Sequence, residues 1–207
     1  MAKEILILGA GGHAKVVIDI LKSQKEKIKG LLDDDKSLTG EEIMGEKVID
    51  TIEDLDDYSA REFQTIISIG SPSIRSDIYR EVKDMGFEFS RAIHPGASIS
   101  EFSSIDEGSI VNTGVSIHPD VDIKHNVILG MNATVSHDTV IEPHCHISPG
   151  VNITGNSYIG EGAELGTGCV ILPGCSVEDN AVIGAGAVVT EDIPANSTAI
   201  GVPAKVK

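Results

Sequence analysis

From Ile93 onward an aliphatic residue returns at every sixth position without interruption, through Ile99, Ile105 and Val111 to Val177, Ile183 and Val189, which makes 17 rungs. The residue two places before each next aliphatic shares its side of a strand, because side chains alternate with period two. That second position is mostly small, as at Ala97, Ser109, Ala133, Cys145, Ala163 and Ala187, so small and large side chains point inward together. Three places after the aliphatic, Gly, Asn or Asp stands in 15 of the 17 rungs, with Phe102 and His144 as the exceptions. Those residue types tolerate a left-handed backbone, which predicts a sharp corner in every rung. Hexapeptide periods mark parallel β-helices, and three corners would close a coil of 18 residues. The interior is then filled, so chemistry belongs to outward and corner residues.

The front of the chain reads differently, and a division into residues 1–90 and 91–207 is expected. Ile5 to Leu8 is a buried-strand run, followed by the loop Gly9-Ala10-Gly11-Gly12-His13-Ala14 and a helix with Val16, Val17, Ile20 and Leu21 on one face. A second strand ends at Leu31-Leu32, before Asp33-Asp34-Asp35. A third covers Thr65 to Ile69, then Gly70-Ser71-Pro72 opens a helix with Ile74, Ile78, Val82 and Met85 in register. The pattern is a small doubly wound β-α-β unit. Gly45 to Ile49 reads as an edge strand, Thr51-Ile52-Glu53-Asp54 as a helix start, and Phe87 to Pro95 as a hinge; residues 36–60 carry no assigned function.

A glycine turn from strand to helix presents backbone N–H groups and a helix dipole to an anion. Gly9, Gly11 and Ala14 match a dinucleotide fingerprint, and Asp33 falls where a ribose partner would stand. A tight turn without ligand, and a solvated turn at Asp33 to Asp35, are the plainer alternatives. The formal net charge of −16 argues against nucleic acid and an anionic membrane surface. No targeting or membrane-inserting segment is visible, so a cytoplasmic protein is expected. All three cysteines fall at the inward position, as core hydrophobes rather than a disulfide or metal set. Histidines 94, 118, 125, 137, 144 and 146 show no recognisable ligand spacing, and no metal is expected.

The rungs, the ending Gly201-Val202-Pro203-Ala204-Lys205 and the Gly9 to Ala14 loop together resemble the sugar O- or N-acyltransferases of the sialic acid O-acetyltransferase type. The pattern is most similar to the N-acetyltransferases acting on UDP-4-amino-sugars, as in bacillosamine synthesis. The resemblance implies a Rossmann-like α/β domain followed by a three-sided, left-handed parallel β-helix, acetyl-CoA as co-substrate, and a homotrimer with active sites between subunits. It implies His137 as general base with Asp138 beside it, where the bacillosamine-type enzymes usually carry Glu. His125, followed by Asn126, is the rival base. It further implies His146, Gly155, Thr167, Gly184, Ala185 and Lys205 around acetyl-CoA, with Gly155 leaving a gap for the pantetheine arm. Gly9, Gly11, Gly12, His13, Asp33, Asp34 and Gly70 would hold the UDP-amino-sugar. A sialic acid O-acetyltransferase would share this base, and a trimeric zinc lyase of the γ-carbonic anhydrase type is the alternative of another class. The inward thiols argue for direct transfer rather than an acyl-cysteine.

Overall fold

A computed structural model describes residues 3–207. Strand β1 (Glu4–Leu8) leads through the glycine loop into helix α1 (Gly12–Ser23), then β2 (Ile28–Leu32), β3 (Glu42–Ile43), β4 (Glu46–Asp50), β5 (Phe63–Ile67) and helix α2 (Pro72–Asp84). The sheet order is β3-β4-β2-β1-β5, parallel except for β3. Alternation along β1 divides the core. Ile5 and Ile7 pack with Val17, Ile20 and Leu21 of α1, whereas Leu6 and Leu8 pack with Tyr79 and Val82 of α2.

From Ala92–Ile93 to Val188–Val189, 17 two-residue strands follow, numbered β6 to β22 at six-residue steps. Each pairs in parallel with the strand 18 residues away, as Ser116 with Thr134 and Ile117 with Val135. This generates three sheets and a left-handed parallel β-helix of triangular section. The second residue of each strand fills the interior beside the small inward residues, Cys145, Cys169 and Cys175 included. Full burial of each Val, Leu or Ile contributes about 1.5–3 kcal/mol. After β22, Thr198–Ile200 (β23) extends one sheet and Lys205–Val206 (β24) folds back antiparallel on it. Ala199 and Ala204 thereby join the prism core at that end.

The corner expectation holds for an unbroken series from Gly108 to Gly186, every member with positive φ. His144 belongs to it at φ 63, although its type broke the sequence pattern. Gly96, Phe102 and Asp192 do not take the left-handed conformation.

Three expectations for the front domain need correction. The buried face of α2 is Arg75, Ser76, Tyr79 and Val82, while Ile74 and Met85 are 52% and 41% exposed. The helix turns this mixed face inward because Arg75 finds carbonyl partners there. Gly45 to Ile49 contributes to β4, an inner strand, because β3 covers its outer edge. The Phe87 to Pro95 stretch is not a free hinge: Phe87 and Phe89 are buried, and Phe89 bridges in parallel to Thr65 of β5. Thr51 to Asp54 does open a short 3-10 turn over Glu53–Asp57.

The front domain rests on one face of the prism. Outward strand residues Ala92, Ile110 and Ile128, stacked on successive coils, are buried with α1. Outward positions on the first coils of the next face are polar instead, as at Ser98, Ser116 and Thr134. No helix among the described residues is long and apolar enough to cross a membrane.

Burial along this stripe makes a direct prediction. Ile128, 1% exposed, and Val182, 38% exposed, occupy equivalent outward positions three coils apart. Ile128→Ala is expected to lower unfolding stability by about 2–5 kcal/mol, and Val182→Ala by under about 0.5 kcal/mol, measured by urea denaturation.

Candidate active site

His137 stands at the prism edge between β13 (Thr134–Val135) and β14 (Val140–Ile141), beside Asp138 at a corner with φ 57. Its Nδ1 lies 2.7 Å from Asp138 Oδ2, and both side chains are exposed. An ionised carboxylate only accepts, so Nδ1 carries the proton and Nε2 presents a lone pair outward. Asp138 therefore supplies both the corner backbone and the tautomer. One coil further lies Gly155, where an added Cβ would sit 2.7 Å from His137 Cε1 and 2.8 Å from Nε2. The absent side chain makes room for the imidazole itself.

A second group forms where the front domain meets the prism. Gly9 is required by the backbone, with φ 103 and Ile69 pressed against it; at Gly11 and Gly12 an added Cβ would meet nothing within 4 Å. The N-terminus of α1 has no side-chain cap, leaving a bare anion-binding helix end. Asp33 holds the loop from below: Oδ2 accepts from Ala10 N at 2.6 Å and Oδ1 from Asp35 N at 2.9 Å. Asp34 is exposed, and its Oδ1 accepts from Ile52 N at 3.0 Å. Gly70 O accepts from His146 Nδ1 at 2.8 Å, which brings the prism histidine onto the loop after β5. His13 Nε2 is buried here with no hydrogen-bond partner in the chain. An orphaned imidazole nitrogen beside open glycines suits the phosphates or sugar of a nucleotide ligand.

Electrostatics in this seam are governed chiefly by burial. Burial, then His146 and Arg75, lowers His13 to about 4. Burial also lowers His146, against the opposing pull of the Gly70 carbonyl. Arg75, wholly buried, is brought down to about 10 by desolvation and stays protonated near neutrality. It donates only to main-chain carbonyls: Ile69, Gly70, Asn126, His144 and Cys145. Sequence reading missed Arg75, which lies one residue beyond Ile74 in a helix that otherwise offers enough apolar residues for a face.

The remaining candidates fall elsewhere. Thr167 and Ala185 stack at a different prism edge, Thr167 O accepting from Gly186 N, with Gly184 adjoining and packed against Ile200. Lys205 pairs with Glu191 at the edge that carries His137, three coils further along. His125 is stacked on Tyr79 at 4.7 Å and edge-on to His144, and burial lowers its pKa. That places the rival base, half-buried, in the seam. His144 hydrogen-bonds Asn126 at 2.8 Å, and burial, then His125 and Arg75, lowers it to about 3. Burial raises Cys145 and Cys169 to about 12, and raises Cys175 as well. Among the described residues no three His, Cys, Asp or Glu side chains cluster so as to hold a metal ion. His137 and His146 lie on opposite sides of the five-stranded sheet that contains β14, so one chain does not bring them together.

Two outcomes are expected from this geometry. The unfolded chain protonates its histidines near 6.5, whereas His13 and His144 resist to about 4 and about 3. Their contribution to stability is complete above about 6.5 and is lost as pH falls toward those values. Urea midpoints at neutral and acid pH should therefore converge in His144→Asn relative to wild type, since Asn keeps the left-handed backbone. Gly155→Ala should fold, its φ being ordinary, but displace the His137 ring, visible as a changed imidazole resonance in histidine-labelled protein.

Comparison with known proteins agrees with this layout. Residues 4–82 match the PglD N-terminal domain, and residues 120–155 and 156–191 match the bacterial transferase hexapeptide (six repeats). A perosamine N-acetyltransferase from Caulobacter crescentus, solved with CoA and GDP-perosamine as a histidine-to-asparagine variant, is 33% identical with TM-score 0.95, over 100% of this chain and 98% of that one. The acetyltransferase domain of PglB from Neisseria gonorrhoeae, solved with acetyl coenzyme A, is 33% identical over 100% of both chains, also at TM-score 0.95. A 109-residue stretch, 53% of this chain, is 35% identical to an uncharacterised protein of Acanthamoeba polyphaga mimivirus, of whose length it spans 21%. With a PglD-type front domain, hexapeptide coils and full-length similarity to two such enzymes, the chain belongs to the hexapeptide-repeat family of sugar N-acetyltransferases.

Proposed function

We propose that the protein transfers the acetyl group of acetyl-CoA to the 4-amino group of a nucleotide-linked amino-sugar, with UDP as the nucleotide, and that His137 is the general base. The observation that carries this reading is the His137 Nδ1–Asp138 contact, which leaves Nε2 unprotonated and pointing outward over Gly155. The substrate ammonium first loses a proton to solvent. As the neutral amine attacks the thioester carbonyl, Nε2 takes a second proton from the nitrogen; collapse expels the CoA thiolate, which the imidazolium can reprotonate. Asp138 stabilises the imidazolium in between. Buried thiols with raised pKa supply no acyl-cysteine, so transfer is direct within a ternary complex. Two relatives solved with CoA or acetyl coenzyme A support the donor, and one solved with GDP-perosamine supports a nucleotide amino-sugar acceptor.

In this reading the open glycines, His13 and Gly70 hold the nucleotide-sugar, with Asp33 and Asp34 toward the nucleoside. His146 lies where sugar and thioester meet, and Thr167, Gly184, Ala185 and Lys205 serve the CoA. His137, His146 and the Thr167–Ala185 pair occupy different edges of one prism, which supports a homotrimer in which the base of one subunit completes the site of its neighbour.

Thiol release from acetyl-CoA tests the reading, with UDP- and GDP-4-amino-sugars beside free and CMP-linked sialic acid. Release is expected only with a nucleotide amino-sugar, UDP-linked best, and His137→Ala should lower the rate by about 10²–10⁴-fold. Preference for the GDP sugar would move the nucleotide assignment, and release with sialic acid would make the enzyme an O-acetyltransferase.

A further inference from the structure

We propose that Arg75 is a positioning residue for the transfer, fixing the tautomer and orientation of the His146 imidazole through the carbonyl of Gly70. The inference rests on the reading of His146 as a group at the meeting point of the two substrates.

Arg75 has no carboxylate within reach of its guanidinium; its acceptors are carbonyls on both sides of the seam. Nη1 donates to Ile69 O at 3.1 Å and Gly70 O at 2.8 Å, on the loop after β5. Nη2 donates to His144 O at 2.6 Å and Cys145 O at 3.0 Å, on the prism residues just before His146. Nε donates to Asn126 O at 3.1 Å, one coil below. The planar fork therefore sets the Gly70 carbonyl and the backbone entering His146 in one frame.

Gly70 O accepts a second bond, from His146 Nδ1 at 2.8 Å. A carbonyl only accepts, so this bond holds the proton on Nδ1 and leaves Nε2 bare. Histidine is thus gripped twice, at its main chain through Cys145 O and at its ring through Gly70 O. The buried, unpartnered Nε2 of His13 lies in the same seam. Glycine at position 70 allows this approach, since an added Cβ would lie only 3.5 Å from His146 Cε1. A residue needed solely to fill the seam would have no reason to be a guanidinium; an apolar side chain would fill it without charge.

The experiment uses the full chain labelled with ¹⁵N-histidine, with two-bond ¹H–¹⁵N spectra to read each ring's tautomer and His146 assigned by its loss in His146→Gln. Wild type is expected to show His146 protonated at Nδ1 and bare at Nε2. Arg75→Met should mix or reverse the tautomers and lower kcat by about 10- to 100-fold, with Arg75→Lys intermediate in both. Arg75→Lys also keeps the measurement available where Arg75→Met fails to fold. A wild-type His146 protonated at Nε2, or an unchanged tautomer in either folded Arg75 variant, would overturn the proposal. If His146→Gln transfers at the wild-type rate while the tautomer still follows Arg75, the reading of His146 falls and the Arg75–His146 relay stands.

Discussion

The parallel stacking of each prism residue on the one 18 residues away is the constraint from which the rest follows. It leaves an interior filled by one aliphatic and one further, mostly small, apolar side chain per rung, so no substrate fits inside. It also converts sequence spacing into columns on the outside. His137 and Gly155 are neighbours because they occupy one column, and the imidazole is accommodated by the missing side chain above it. The same rule separates His137 from His146 by a whole sheet.

The front domain joins this prism by two unlike means. Ala92, Ile110 and Ile128 provide an apolar stripe against α1, and this contact favours docking without fixing its angle. Arg75 adds direction, because a planar donor with carbonyl acceptors on both domains admits few geometries. Taking an isolated guanidinium out of water costs several kcal/mol before its hydrogen bonds offset it. The protein carries that cost where the loop after β5 meets the prism, beside His146. A rigid seam and an open glycine loop thus lie side by side.

The prism was almost wholly legible in the sequence, since a filled interior with strict geometry imposes a strict period. His137-Asp138 stood out only through the family resemblance, since Asp138 is an ordinary corner residue of the repeat. The α2 face was misread because Ile74 and Met85 obey helical spacing, while the residue that decides the orientation is the charged Arg75, satisfied only by carbonyls distant in sequence. The docking stripe had a signal that a six-residue reading passes over: apolar outward residues recur every 18 residues on one face. His144 breaks the Gly, Asn and Asp pattern in type but keeps the corner, its ring engaged by Asn126 and by His125 at a left-handed backbone. The α2 face and the docking stripe involve contacts between the domains, which neither helical nor six-residue spacing records.

Column geometry also bears on how such a site can change in evolution. Within the coil region, inserting six residues would advance every later outward side chain to the next edge, taking Gly155 and its successors away from His137. Adding 18 would lengthen the prism by one turn while keeping each later residue on its own edge, as the register dictates. Insertions and deletions are therefore quantised here, and variation of other lengths is confined to corners that can bulge outward. New specificity in the prism must come chiefly from substitution within a column, whereas the front domain, free of that arithmetic, can vary its loops.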